Sequence, residues 1–344
     1  MARGSVSWPP NPEVKMTDRP ILIAGRSGQL ARCLRDLAAT RGLPAVILGR
    51  PELDLENRKG IDKLIASIAP SAIINAAAYT AVEQAESETA KAFSVNRDGA
   101  AALADIAWQM NVPLIHLSTD YVFDGAKPDA YDESDTPAPL NVYGASKLAG
   151  EAAVLAAHPL ATVVRCSWLY SPYGSNFVRT MLRLCETQQI VRVVRDQYGN
   201  PTNAFDLAEA VLRIAERLGT DDRRTTAGIF HLAGQGETNW HDFAQAIFYE
   251  YSRRGARIPA LEAITTEEFP TAARRPRNSR LDSSKAERVF GVRLPPWRHS
   301  LKACLDHLVG EGDANAEGNR AGRRQRNASL SDHARGQQAA APDL

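Results

Sequence analysis

No stretch of this sequence holds the roughly 18 continuous apolar residues that a membrane-spanning helix requires; Pro70 and Asn75 break the best candidate, between Leu64 and Val82. A membrane is therefore not an expected partner. Cysteine is scarce and scattered: Cys33, Cys166, Cys185 and Cys304 include no CxxC pair, and no two of the seven histidines stand three or four residues apart. This excludes the ligand spacings of a structural zinc site and the paired framework of a disulfide-held domain, and it points to a reducing, cytoplasmic compartment. Nor is there a surplus of one charge. The 41 basic and 40 acidic side chains leave a net +1, too little to mark the chain for nucleic acid. Met1 to Pro20 carries four prolines and several charges but no apolar run, so it does not read as a secretory signal. Large apolar side chains are missing again from Gly310 to Leu344, where Leu330 and Leu344 are the only large aliphatics. Such a segment buries too little to offset its ordering entropy; 310–344 is expected to be a disordered tail and 1–18 a disordered extension.

Between these ends the chain has ordinary globular proportions, 44% apolar and 24% charged, and its 344 residues suffice for about two domains. Ile21 to Ala24 is the short uninterrupted apolar run of a buried parallel strand, and Leu30, Leu34 and Leu37 follow at helical spacing. The alternation continues with strands at Ala45–Leu48, Ala72–Ala76, Leu114–Ser118 and Thr162–Cys166, and with helices at Ile61–Ile68, Ala90–Met110 and Tyr143–Ala157. This predicts an α/β fold, a Rossmann-like doubly wound parallel sheet with right-handed crossovers. After Ser171 come shorter helices, at Phe177–Gln188, Asp206–Arg217 and Trp240–Arg253, separated by loops rich in Gly, Pro and Asn. We therefore expect a first domain over 19–170, completed by later returning segments, which the motifs below mark as NAD(P)-binding, and a smaller lobe over 171–309, mainly for substrate.

Gly25-Arg26-Ser27-Gly28-Gln29-Leu30-Ala31 follows the first strand and opens the first helix, the place of a dinucleotide-binding turn. Gly25 tightens such a turn, Gly28 admits backbone to the pyrophosphate, and the helix N-terminus receives the anion. Taken alone, the motif equally fits any turn in which glycine supplies a positive φ. The second strand ends at Gly49-Arg50, where an NAD enzyme presents an acid to the ribose diol; an arginine with no acid beside it suits a 2′-phosphate, and Arg26 can assist. Each arginine, taken singly, also reads as a solvent-exposed loop residue. Asp54-Leu55 falls beside the expected adenine. Asn75-Ala-Ala-Ala78-Tyr79-Thr80 ends the third strand beneath the pyrophosphate and nicotinamide ribose, where small side chains make room.

Tyr143 and Lys147 stand four residues apart and so share one helix face. A tyrosine, with an ordinary pKa of about 10, is a poor acid-base group near neutrality until a cation favours its phenolate. Lys147 supplies one. Ser118-Thr119-Asp120 ends the fourth strand at the ligand-binding edge of such a sheet, where Thr119 can hydrogen-bond a substrate carbonyl. The bare spacing fits any surface helix pair, but with the hydroxyls one strand upstream and the glycine turn it reads as acid-base machinery.

Gly25-Arg-Ser-Gly-Gln-Leu30, Asn75-Ala-Ala-Ala-Tyr-Thr-Ala-Val-Glu83, Ser118-Thr-Asp-Tyr-Val-Phe-Asp-Gly125 and Asn141-Val-Tyr-Gly-Ala-Ser-Lys147 together resemble the extended short-chain dehydrogenase/reductases. More narrowly, they resemble the dTDP-4-dehydrorhamnose reductase family. The likeness continues through Arg165-Cys-Ser-Trp-Leu-Tyr170, Asn176-Phe177, Asp196 to Thr202, His231 to Gly234 and Arg274 to Asp282, covering about Arg19 to Val309. It implies reduction of the C4 keto group of dTDP-4-dehydro-β-L-rhamnose to dTDP-L-rhamnose by NADPH or NADH. It also implies Tyr143 as proton donor, Lys147 as its electrostatic and ribose-binding partner, Thr119 as the polarising hydroxyl, and Asp120 and Trp168 against the sugar nucleotide. Gly28 to Leu30, Asp54, Leu55, Ala78 to Thr80, Tyr143 and Lys147 match the family's cofactor-contacting positions. Trp168 reads as well as an aromatic filling the seam between lobes. Two positions depart from the family pattern. Ala31 replaces the more usual glycine, and Cys33 stands where some members place a glutamate for a Mg²⁺-bridged dimer, which counts against that ion here. A monomer or a homodimer is expected.

Within the superfamily, sugar-nucleotide dehydratases resemble this chain but place a glutamate after Thr-Asp. Tyr121 occupies that position, so elimination lacks its second acid-base group. The other readings are a reductase of a different 4-keto sugar nucleotide and a binding-only protein resembling the regulatory subunit of methionine adenosyltransferase. The complete Thr119, Tyr143 and Lys147 set favours turnover over the latter.

Overall fold

The computed structural model describes residues 19–57, 60–219 and 223–308; the expected disordered extension, 1–18, and tail, 310–344, lie outside the described residues. The first half of the chain runs β1 (Ile21–Ala24), α1 (Gln29–Thr40), β2 (Ala45–Leu48), α2 (Ile61–Ile68), β3 (Ala72–Asn75), α3 (Val82–Ala85) and α4 (Thr89–Phe93). A π-helical turn (Ser94–Gly99) leads to α5 (Ala100–Gln109), β4 (Leu114–Thr119), a 3₁₀ turn (Asp120–Val122), α6 (Val142–Ala157) and β5 (Thr162–Cys166). Next come β6 (Leu169–Tyr170), α7 (Phe177–Thr187), β7 (Ile190–Val194), β8 (Tyr198–Gly199), β9 (Thr202–Asn203) and α8 (Ala204–Leu218). The chain continues with α9 (Arg223–Thr226), β10 (Gly228–His231), β11 (Thr238–Asn239), α10 (Trp240–Ser252), β12 (Ala260–Ile264), α11 (Ser284–Phe290) and a helix over 297–308.

Six strands form one sheet in the order β10-β5-β4-β3-β1-β2, with every neighbouring pair parallel. The chain moves outward from β1 to β2, then crosses back to β3 and on to β4 and β5. That reversal opens the crevice at the carboxyl edge where doubly wound sheets take their ligands. Successive side chains enter opposite layers: Ile21 and Ile23 of β1 pack with Leu34 of α1 and Val211 of α8, whereas Leu22 and Ala24 pack with Ile65 of α2, Leu103 of α5 and Val154 of α6. Burial on both faces is why these strands are uninterrupted apolar runs. A separate core joins Val178 and Met181 of α7, Val191 of β7, Phe243 and Ile247 of α10, and Trp297 and Leu301.

Two elements differ from the sequence expectation. α8, grouped with the smaller lobe by position, packs on α1 and the sheet, because Leu207, Val211 and Ile214 form an apolar stripe that the first layer covers. The helix expected over Ala90–Met110 is interrupted by the π turn, where Gly150 of α6 comes so close that a Cβ there would lie 2.1 Å from the Asn96 carbonyl oxygen. Among the described residues no helix is long and apolar enough to cross a membrane.

Candidate active site

The crevice begins at the turn after β1. Gly25 has φ +115°, and a Cβ on it would stand 3.1 Å from the Ala76 carbonyl carbon, so only glycine fits. Gly28 is the extended N-cap of α1, with no side-chain cap and no acidic residue in the first turn, and nothing stands within 4 Å of where its Cβ would be. The open helix end, with its unpaired N–H groups, fits the pyrophosphate of a dinucleotide. Leu30 turns into the core. The Gln29 side chain is engaged by the other half of the molecule, its Oε1 accepting from Ser171 at 2.8 Å and from Asn176 at 3.0 Å.

At the end of β2, Arg50 is exposed, and Arg26 sits over Gly49, whose Cβ would lie 2.8 Å from that of Arg26. An acid does stand here: Glu52 pairs with Arg26 at 2.8 Å, both side chains being about half exposed (46% and 48%). The sequence reading missed it because the chain turns back between Arg50 and Glu52. Asp54 uses its carboxylate to accept the Glu56 amide at 3.1 Å, and Leu55 is buried against Gly99. Beyond β3, Tyr79 is held through its backbone: its N–H donates to Asn96 Oδ1 at 2.8 Å and its carbonyl accepts from Asn96 Nδ2 at 3.0 Å. Its phenol turns outward to Glu88. Ala78 and Thr80 flank this clamp. Asn96, which also donates to Ser146 of α6, carries no motif that sequence reading could catch.

Thr119, Asp120, Tyr143 and Lys147 converge where β4 ends against α6. Thr119 and Lys147 are buried, and Tyr143 keeps a partly exposed ring in edge contact with Tyr121, centroids 5.8 Å apart. Desolvation holds the Tyr143 phenol well above the ordinary tyrosine range, with the Thr119 hydroxyl pulling the other way. Lys147 lies on the same helix face, but its Nζ donates to the Leu117 carbonyl at 2.5 Å rather than to the phenol. Burial lowers its pKa to about 8. Asp120 accepts from Thr119 Oγ1 at 3.1 Å, while its buried Oδ2 makes no hydrogen bond among the described residues.

Burial raises the Asp120 pKa to about 7, the nearby Ser279 and Thr119 hydroxyls opposing the rise. A carboxyl held above its unfolded value contributes stability in full below that value, about 4, and loses it as pH rises through about 7. Asp120→Asn should therefore match the native protein at pH 4 and melt higher at pH 8, at roughly 1.4 kcal/mol per unit of relieved shift. Melting curves at the two pH values check this; equal melting temperatures at pH 8 would contradict it.

Trp168 packs against the separate core of α7, β7 and α10. Its φ is +45°, rare for a bulky residue; its ring stacks on Trp240 with centroids 3.5 Å apart, and its Nε1 donates to Ser279 at 3.0 Å. Gly199 backs the ring, since a Cβ there would come within 2.3 Å of it. Ser279 in turn donates to the Tyr198 carbonyl at 3.4 Å, and Trp240 was not legible as the partner of Trp168 from a lone aromatic in sequence. Cys33 is buried in the core with its thiol pushed up to about 12, so it does not fit a Mg²⁺ ligand.

The family model described as the RmlD substrate binding domain matches residues 19–309. The chain belongs to this family. A relative named dTDP-4-dehydrorhamnose reductase, from Sinorhizobium fredii, is 48% identical over 292 residues, which are 85% of this chain and 98% of the relative. A crystal structure of a dTDP-4-dehydrorhamnose reductase from Clostridium acetobutylicum superposes with TM-score 0.78 at 35% identity, covering 84% of this chain and 99% of that one. A second, from Bacillus anthracis in complex with NADP, gives TM-score 0.77 at 34% identity over 84% and 99%. The family fold is thus shared across nearly the whole described chain.

Proposed function

We propose that the chain reduces the C4 keto group of dTDP-4-dehydro-β-L-rhamnose to dTDP-L-rhamnose with NADPH or NADH, the last step of dTDP-rhamnose synthesis. The observation that carries this reading is the convergence of Thr119, Tyr143 and Lys147 at the carboxyl end of β4, across the crevice from the open N-terminus of α1. A bound reduced nicotinamide dinucleotide supplies the hydride. Thr119 donates its hydroxyl to the substrate carbonyl oxygen, polarising the bond. Tyr143 then gives its proton to the C4 alkoxide, and the Lys147 ammonium offsets the resulting phenolate and reaches the ribose hydroxyls. A phenol held above the ordinary tyrosine range suits a proton donor, because it stays protonated until the alkoxide forms. Asp120 and Trp168 hold the sugar nucleotide.

In this reading residues 19–170 with the returning α8 and β10 bind the dinucleotide, and 171–309 mainly the sugar nucleotide. A cytoplasmic monomer or homodimer is in keeping with four unpaired thiols. Purified protein given NADPH and the keto sugar nucleotide should consume nicotinamide absorbance and yield dTDP-L-rhamnose by chromatography. No consumption would overturn the proposal.

Cofactor choice provides a finer prediction. A 2′-phosphate bound at the end of β2 would be held by Arg50 and would compete with Glu52 for Arg26. The preference for NADPH should therefore be about ten-fold in kcat/KM, shrinking in Arg50→Ala and growing in Glu52→Gln. The ratio of kcat/KM for the two cofactors, measured at fixed low salt, checks this. An unchanged ratio in both variants would show that these side chains face only solvent.

A further inference from the structure

One loop from the later part of the chain crosses to the catalytic wall and is fastened there from the other side. Among the described residues between Ile264 and Pro276, Ala273 alone is buried, so the loop has little apolar surface of its own to hold it in place. Its ends are fixed. Thr266 donates through its N–H and its hydroxyl to the Asp196 carboxylate at 3.0 and 2.8 Å, and Asn278 donates to the carbonyls of Lys127 and Asp129 at 2.6 and 2.7 Å. Between these ends the Glu83 carboxylate accepts from Arg275 Nη2 at 2.6 Å and from the Ala273 N–H at 3.0 Å, while Asn141 Nδ2 donates to the Arg274 carbonyl at 2.8 Å.

Both grips belong to the elements that carry the acid-base residues. Asn141 is the N-cap of α6 just before Tyr143, its Oδ1 accepting the Gly144 N–H at 2.8 Å. Glu83 lies on α3, just past Thr80, and at the end of the same turn Glu86 accepts the Val142 N–H of α6 at 2.9 Å. One helical turn therefore ties down the start of α6 with one carboxylate and the loop with the other. The loop forms one side of a cavity of about 570 Å³, where Phe269, Arg274, Arg275 and Arg277 face Asp124 and Leu140. Beyond Arg277 the chain runs on to Ser279, which accepts from Trp168 Nε1 at 3.0 Å. The cavity wall thus joins the cap of the catalytic helix to the tryptophan proposed to hold the sugar nucleotide.

Glu83 and Arg275 are 41% and 29% exposed, and a pair so open to water contributes little to the stability of the whole fold. Its effect is local. Without Glu83 the middle of the loop keeps the Asn141 bond and one buried alanine, too little to hold a single shape, and residues of low local stability open first.

We infer that Glu83 is a positioning residue: it latches residues 273–275 to the catalytic wall and so keeps the cavity in the shape that receives the sugar nucleotide. The substrate half of this inference rests on the reduction proposed above; the latch stands alone. Glu83→Ala removes both bonds, whereas Glu83→Gln keeps an acceptor for the Ala273 N–H and loses the charge. Amide hydrogen exchange of the unliganded protein, read on peptides spanning 270–277, should quicken by about ten-fold in Glu83→Ala and by less in Glu83→Gln, with peptides of β1, β3 and β4 unchanged. The KM for the keto sugar nucleotide should rise in the same order, by about ten-fold in Glu83→Ala, while kcat at saturation and the KM for NADPH stay within about two-fold. A general loss of packing would instead speed exchange throughout and lower kcat. Native exchange over 270–277 in Glu83→Ala would overturn the latch, and fast exchange there with a native KM for the keto sugar would overturn its part in substrate binding. Exchange quickened in the β-strands as well, or a Glu83→Gln variant that cannot fold, would make Glu83 structural and overturn the inference. If the native protein reduces no keto sugar, the proposed function fails while exchange over 270–277 still decides whether Glu83 holds the loop.

Discussion

Replacing Tyr143 by phenylalanine will lower kcat by roughly 10²–10⁴-fold and leave cofactor affinity within a few fold. The substitution keeps the ring, and with it the edge contact to Tyr121 at 5.8 Å, while deleting the single proton that the C4 alkoxide must receive. Water is a poor substitute. The site is desolvated enough to hold the phenol above its ordinary range, and no second acid stands in the position after Asp120, where Tyr121 is found. Steady-state rates with saturating keto sugar nucleotide, beside a cofactor titration, separate the two parameters. Near-native turnover in this variant would remove Tyr143 from the proton-donor role.

The sheet was legible because its strands are buried on both faces and therefore appear as short apolar runs such as Ile21–Ala24 and Thr162–Cys166, whose bounds the structure reproduces. Helix membership was harder to read. An apolar stripe on α8 says that the helix packs on something, not whether that surface is the sheet or the second core; the return of β10 beside β5 decides it, and a long-range pairing leaves no local mark. At the site, Tyr143, Lys147 and Thr119, tied to fixed spacings or strand ends, could be picked out from the sequence as neighbours at the end of β4 and on α6. Those that act across the fold could not. Glu52 meets Arg26 only after the chain doubles back, Asn96 reaches Tyr79 from a π turn that apolar periodicity does not reveal, and Arg165 meets Glu151 from a different strand. Trp168 was left between two readings, and the structure adds what no spacing could show: its stack on Trp240, its positive φ and its bond to Ser279.

Lys147→Ala should damage both rate and cofactor binding, which distinguishes it from Tyr143→Phe. Losing a preorganised charge on the helix face that also carries the developing phenolate is worth roughly 10²–10³-fold in kcat. Losing a charged donor to the ribose should raise the KM for NADPH as well, by about ten-fold or more, since hydrogen bonds to charged groups contribute about 1.5–3 kcal/mol. Arginine should not rescue it: Lys147 is 2% exposed, with its ammonium tied to the Leu117 carbonyl at 2.5 Å, and a planar guanidinium has neither the size nor the geometry for that position. The pH profile gives the sharper test. With its pKa lowered to about 8, Lys147 is charged below that pH and neutral above it, so reduction by the native protein should decline as pH rises through that region. In Lys147→Ala the decline near pH 8 should disappear, leaving only a change near pH 7 that belongs to Asp120. A variant that keeps the alkaline decline would show that another group titrates, and one that keeps native cofactor affinity would remove the ribose contact from the role of Lys147.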